Sequence, residues 1–107
     1  MSIKQIAPDE LKIKLDNGED VIFIDCRERD EFEEGHIPQA QFIPLSHFEK
    51  EVDKLKNKNV EIVVGCRSGH RSMNACEILD SKGFTNISNL SGGILGWIED
   101  GLEIIRE

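Results

Sequence analysis

The stretch Gly65-Cys66-Arg67-Ser68-Gly69-His70-Arg71-Ser72 is the part of this 107-residue chain best equipped for chemistry. The apolar run Ile62-Val63-Val64 leads into it, and a helix-like pattern, Met73 to Lys82, leads out. A cysteine at a strand end, before a helix start, meets unpaired backbone N–H groups and positive dipole potential. Arg67, Arg71 and a protonated His70 add charge of the same sign. All of these favour thiolate over thiol, so the pKa of Cys66 is expected to be depressed. The two arginines suit a small anionic substrate; the alternative is that they pair with nearby acids.

The flanking segments must position this loop. Ile3 to Ile6 alternates and reads as an edge strand. Pro8-Asp9-Glu10 reads as a helix start, and Asn17-Gly18 as its stop, with Leu11, Ile13 and Leu15 carrying the apolar weight between. Val21-Ile22-Phe23-Ile24, ending in Asp25, looks buried on both faces, as in a covered parallel strand. Arg27 to Glu34 is a short charged helix around Phe32, ended by Gly35. Gln41-Phe42-Ile43 is a short strand. Ser46 with Glu49 forms a capping-box pattern, and Phe48, Val52 and Leu55 share one helical face. Val60 to Val64 is the second strongly apolar strand. Ala75, Ile78 and Leu79 stripe the helix after the loop, and Gly83 stops it. Thr85 to Leu90 is a further strand, and Ile94, Leu95, Trp97 and Ile98 begin a last helix. Strands alternate with helices throughout, which predicts an α/β fold with a mainly parallel sheet. In such folds sites lie beyond the carboxyl ends of the strands. Cys66 is there, and so are Asp25, Cys26 and Ser91-Gly92-Gly93.

The totals narrow the function. The length fits one domain, residues 1–107. The formal charge of −8 disfavours non-specific binding to nucleic acid or an anionic membrane. Residues 1–34 hold eleven acids against five bases, whereas the loop carries two arginines and no acid. Three cysteines, Cys26, Cys66 and Cys76, do not make a disulfide framework. No paired cysteine spacing suggests zinc, so no metal or cofactor is expected. The N-terminus lacks the apolar core of a signal peptide, no run approaches membrane-spanning length, and a reducing cytoplasm is the expected location. Nothing in the sequence indicates an oligomer interface.

Three segments together resemble the rhodanese-like domain family. Ile24-Asp25-Cys26-Arg27-Glu28, Glu31-Phe32 and Gly35-His36-Ile37-Pro38 with Ala40 resemble its N-terminal signature. Cys66 to Ser72 resembles its active-site loop, and Gly92-Gly93 with Trp97 its C-terminal signature. The resemblance implies a three-layer α/β fold, a central mainly parallel five-stranded sheet flanked by helices, and a persulfide-forming cysteine. It also implies a structural ion pair between Asp25 and Arg27. Three positions depart from the pattern. Gln39 replaces a common glycine, which implies an altered turn because non-glycine residues resist positive φ. Gly65 replaces a frequent aromatic residue, which implies a more open pocket wall. Cys26 replaces an apolar residue, and reads either as packing or as a partner that resolves the Cys66 persulfide.

Four residues separate Cys66 from Arg71, whereas phosphatases with a cysteine-to-arginine loop keep five. The shorter loop fits one extra sulfur on the cysteine better than a tetrahedral phosphate. The expected activity is therefore a thiosulfate sulfurtransferase working by double displacement. Cys66 takes a sulfur from a small anionic donor and passes it to cyanide or a thiol. Backbone N–H groups from Arg67 to Ser72 are expected to point inward at the persulfide. Arg67 and Arg71 are expected to hold the donor's oxyanion end, with Ser68 and Ser72 as hydroxyl donors, Ser72 alternatively capping the helix. His70 is expected to add local electrostatics. The alternative is a carrier whose acceptor is a protein thiol.

Overall fold

The computed structural model describes residues 3–106. Its centre is a five-stranded sheet of β1 (Ile3–Ile6), β2 (Val21–Asp25), β3 (Gln41–Phe42), β4 (Glu61–Gly65) and β5 (Ile87–Leu90). The strand order is β1-β5-β4-β2-β3, and every neighbouring pair is parallel. β1 is an edge, as its alternating pattern predicted. The helices are α1 (Pro8–Asp16), α2 (Arg29–Glu34), α3 (Phe48–Val52), α4 (Arg71–Ser81) and α5 (Gly93–Glu99).

The side-chain period of two divides each strand between two cores. Ile24, Ile62, Val64 and Ile87 face Phe48 and Val52 of α3 and Ala75, Cys76 and Leu79 of α4. Phe23, Val63 and Leu90 face Leu11 of α1 and Ile94 and Trp97 of α5. Both faces of β2 and β4 are therefore covered, which is why their sequences read as unbroken apolar runs. The result is three layers. Since all strands run one way, the turns after β2, β4 and β5 meet at one end of the sheet.

Two expectations about local structure fail. Ile13 is 58% exposed, because α1 buries only Pro8 and Leu11. Ser46 does not cap a helix. The Leu45 N–H donates to the Cys26 carbonyl at 3.0 Å, which commits the chain to a 3₁₀ turn over Leu45–His47 before α3 begins. The Ser46 hydroxyl meets His47 Nδ1 at 3.0 Å instead. Gln39 keeps negative φ, since no non-glycine residue among those described has positive φ. The turn before β3 therefore does not need the common glycine.

Two contacts lock the end of the sheet that carries the loop. The first is a buried ion pair between Asp25 and Arg27. Arg27 Nη2 lies 2.7 Å from Asp25 Oδ2, and Nε 3.0 Å from Oδ1. The same guanidinium donates to the carbonyls of Gly35 at 2.7 Å and Glu31 at 3.2 Å, so it ties α2 to the strand end. The second is the start of α5. Its N–H groups at Ile94 and Leu95 have no partner within the helix. They donate to the carbonyls of Cys66 at 2.9 Å and Arg67 at 3.1 Å. Gly93, at φ +59°, makes this approach possible: a Cβ there would overlap the Arg67 carbonyl and lie 2.5 Å from the Cys66 oxygen.

Arg27→Ala is expected to lower the unfolding free energy by about 3–5 kcal/mol, because it leaves Asp25 charged, buried and unpaired. Urea denaturation reads this directly, and a loss below about 1 kcal/mol would contradict the role given to the pair. Gly93→Ala is expected to cost about 1–3 kcal/mol through overpacking and backbone strain. It should also slow alkylation of Cys66, because the loop must shift to admit the methyl group. Unchanged stability and alkylation would show that α5 does not hold the loop.

Candidate active site

Cys66 follows the end of β4 and is 2% exposed. Its Sγ receives the N–H of Gly69 at 3.1 Å and the N–H of Ser72 at 3.4 Å, and lies 3.3 Å from the Ser72 hydroxyl. The fastening of the Arg67 carbonyl by α5 accounts for one further inward N–H, that of Ser68. In a trans peptide the C=O and N–H point in opposite directions. With the Arg67 carbonyl turned out toward α5, the Ser68 N–H turns in. Gly69 continues the curve at φ +103°.

Burial pushes the Cys66 thiol up. Hydrogen bonds from the Ser72 hydroxyl and from the N–H groups of Ser72, Gly69 and Ser68 outweigh it, and the net shift is downward. The direction is the one expected from sequence, and so is the share of the backbone N–H groups; the Ser72 hydroxyl leads the lowering, ahead of any arginine charge.

Arg71 is engaged elsewhere. Its Nη1 and Nη2 each lie 2.8 Å from an oxygen of Glu31, a bidentate pair reaching from α4 to α2. The pair holds the Glu31 carboxyl down at about 2 and raises the pKa of Arg71 further. Arg71 thus takes the ion-pairing alternative. Arg67, Ser68 and His70 are exposed on the outer flank of the loop. His70 Nδ1 stands 3.5 Å from the Ser68 hydroxyl, and His70 occupies the residue before α4. A groove of about 190 Å³ lies beside Arg67, between Glu31, Leu95, Ile98 and Arg106; Cys66 does not line it.

Ser72 sits one residue inside α4 rather than at its cap. Its hydroxyl touches both Cys66 and the side-chain oxygen of Asn89 on β5. The Asn89 amide nitrogen donates to Gln5 Oε1 at 3.0 Å and to the Gly69 carbonyl at 3.3 Å. Ser72 has one proton for two acceptors. When Cys66 is a thiol, its S–H can serve Ser72 while Ser72 serves Asn89; when it is a thiolate, the Ser72 proton turns to sulfur.

Sequence reasoning missed Asn89 and the partner role of Glu31. Asn89 carried a signal, an amide within an otherwise buried strand. Glu31 carried none that separates it from the other acids of α2. Gly65 does not open the pocket wall. Phe23 and Leu90 fill the space, within 3.2 and 3.3 Å of where a Cβ would lie. His36 stacks on Phe32 with ring centroids 3.8 Å apart, and Trp97 is buried with its Nε1 donating to the Glu103 carbonyl. Cys26 and Cys76 are both buried free cysteines. No helix among the described residues is long and apolar enough to cross a membrane.

A family model described as "Rhodanese-like domain" matches residues 7–100, which spans every strand from β2 to β5 and the whole loop. The chain is 42% identical over 97 residues to "Putative sulfurtransferase YtwF" of Bacillus subtilis, covering 91% of this chain and 92% of that one. It is 38% identical over 96 residues to "Putative sulfur carrier protein YrkF" of the same organism, covering 90% of this chain and 51% of the other. A solved structure of a rhodanese-like domain protein from Staphylococcus aureus superposes with a TM-score of 0.82 at 35% identity, covering 95% of this chain and 98% of that chain. The parallel five-stranded order, the cradled strand-end cysteine and these matches agree: the chain belongs to the rhodanese-like domain family.

Proposed function

We propose that the protein is a sulfurtransferase that carries a sulfane sulfur on Cys66, with thiosulfate as a competent donor. The observation that carries this reading is the Cys66 sulfur itself, buried yet served by the Gly69 and Ser72 N–H groups and the Ser72 hydroxyl. Such a cradle stabilises an anionic sulfur without a metal or cofactor. In the first step the Cys66 thiolate attacks the outer sulfur of thiosulfate; the S–S bond to the sulfonate breaks and sulfite leaves with the electron pair. Cys66 then holds a persulfide. In the second step cyanide or a thiolate attacks the outer sulfur, and the Cys66 thiolate departs. Two substrates using one site in turn give ping-pong kinetics.

Arg67 is the loop cation assigned to the donor's sulfonate, because Glu31 already neutralises Arg71. Arg67, Ser68 and His70 form the exposed entrance. A second reading, transfer to a protein thiol, is favoured by the similarity to a relative named as a sulfur carrier. The site chemistry is the same in both readings; only the acceptor differs. A cytoplasmic location fits a catalytic thiol that must be kept reduced.

The thiosulfate:cyanide assay tests the first reading. Thiocyanate formation is expected to depend on Cys66 and to fall to background in Cys66→Ala; equal rates in the two proteins would sink it. A chain that gains sulfur readily yet turns over slowly with cyanide supports the protein acceptor. Arg67→Ala is expected to raise the KM for thiosulfate by roughly tenfold with little change in kcat, about 1.4 kcal/mol of ground-state binding. Ser72→Ala removes a donor to the thiolate, worth about 1.5–3 kcal/mol. The apparent pKa of Cys66, read from iodoacetamide alkylation against pH, should therefore rise by about one to two units. In the unaltered protein it should lie below the roughly 8.5 of a free cysteine.

A further inference from the structure

Cys26 occupies a core position that an apolar residue would fill as well, and the mechanism above does not use it. Its place relative to Cys66 is defined by the backbone. The β2–β4 register pairs Ile24 with Val64 and Asp25 with Gly65. The Cys26 N–H then donates to the Gly65 carbonyl at 3.0 Å, which extends the parallel ladder by one residue and sets Cys26 opposite Cys66. Both residues lie two positions beyond Ile24 and Val64, on the same sheet face and in the same core. Neighbouring strands run about 4.8 Å apart, within the roughly 4.4–6.8 Å between α-carbons that a disulfide spans. Cys76 shares that core but sits on α4, with its thiol turned 3.7 Å from the Ser88 carbonyl.

Resting on the persulfide reading of Cys66, we propose that Cys26 is a resolving thiol, which attacks the inner sulfur of the Cys66 persulfide, forms a Cys26–Cys66 disulfide and releases the outer sulfur as hydrogen sulfide. The atoms balance without an external oxidant. The S–S bond of the persulfide breaks and the bond between the two cysteine sulfurs forms. The Cys26 proton leaves with the hydrosulfide. The outer sulfur is reduced while the two cysteines are oxidised. An external dithiol, attacking at Cys66, returns the chain to its starting state.

The surroundings suit this step. Burial pushes the Cys26 thiol up to about 12, and the neighbouring Cys66 adds to the rise, so Cys26 is inert toward reagents in bulk solvent. A neighbour fixed across the ladder needs no encounter, and its effective concentration offsets weak intrinsic nucleophilicity. The Gly69 and Ser72 N–H groups, which reach Cys66 Sγ, stand beside the S–S bond that breaks and favour negative charge developing there. A donor sulfur with no acceptor at hand would thus be discharged as sulfide rather than held.

The test uses the reduced full chain, anaerobic and free of added thiols and metals, mixed with thiosulfate or, in parallel, with inorganic polysulfide. Intact-mass and non-reducing peptide analysis should find a transient gain of one sulfur. A chain lighter by two hydrogens should follow, with a Cys26–Cys66 crosslink and about one hydrogen sulfide released per chain. Cys26→Ala and Cys26→Val, checked as folded by circular dichroism, should keep the added sulfur at least roughly tenfold longer and release no sulfide until a thiol is added. Cys76→Ala should behave as the unaltered chain. A persulfide as durable in the unaltered chain as in the Cys26 variants overturns the inference and leaves the sulfurtransferase reading intact. A crosslink to Cys76 instead of Cys26 also overturns it. If no variant that retains Cys66 gains sulfur from either donor, the persulfide reading fails and this inference falls with it.

Discussion

The loop around Cys66 keeps its shape because α5 takes hold of its carbonyl groups. A helix start has N–H groups with no acceptor of its own. A tight loop that turns its N–H groups inward has carbonyls facing out. Here each deficit meets the other, through Ile94 to Cys66 and Leu95 to Arg67. The Ser68 N–H on the second of those peptides is then fixed toward the cysteine sulfur, and no reorganisation is needed there when charge develops. Gly93 is the residue on which this contact turns, since any side chain at that point would meet the same two carbonyls.

Preorganisation of this kind is costly, since it orients several dipoles toward one small volume. The fold distributes that cost over neighbours that are themselves fixed. Asn89, on the central part of the sheet, binds the Ser72 hydroxyl on one side and the Gly69 carbonyl on the other. It thereby joins the two residues that donate to sulfur. Arg27 does the same for the preceding turn, binding Asp25, Glu31 and Gly35 at once. Among the described residues no buried side-chain nitrogen or oxygen is left without a partner. A polar end of the sheet can be buried only on that condition.

Much of this was legible in the residues. Unbroken apolar runs at residues 21–24 and 62–64 announced central parallel strands, and the cysteine after the second run marked the candidate site. Two short signatures on either side placed both within one family. What could not be read was which partner each charged or polar group would choose. Arg71 looked available to substrate, yet Glu31 lies forty positions away in sequence and beside it in space. The effect of Gly65 depends on whether Phe23 and Leu90 close over it, which is a property of packing between strands. Ser46 had the sequence of a cap but lost that role to a hydrogen bond from the preceding residue, Leu45, to Cys26. Local patterns fail where a long-range contact competes for the same backbone.

The Arg71–Glu31 pair also bears on how the site holds charge. A free guanidinium beside Cys66 would stabilise the thiolate through space, but it would stabilise thiolate and persulfide alike and would be screened on its exposed side. Hydrogen bonds to sulfur are short-ranged and directional, so they distinguish one position of the anion from another. With Arg71 paired to Glu31, the largest lowering at Cys66 comes from donors that touch the atom. Such donors fix the position of the charge more selectively than a through-space cation does. In sulfur transfer this suits a group that must accept a sulfur atom and then give it up, because sulfur held too tightly is not passed on.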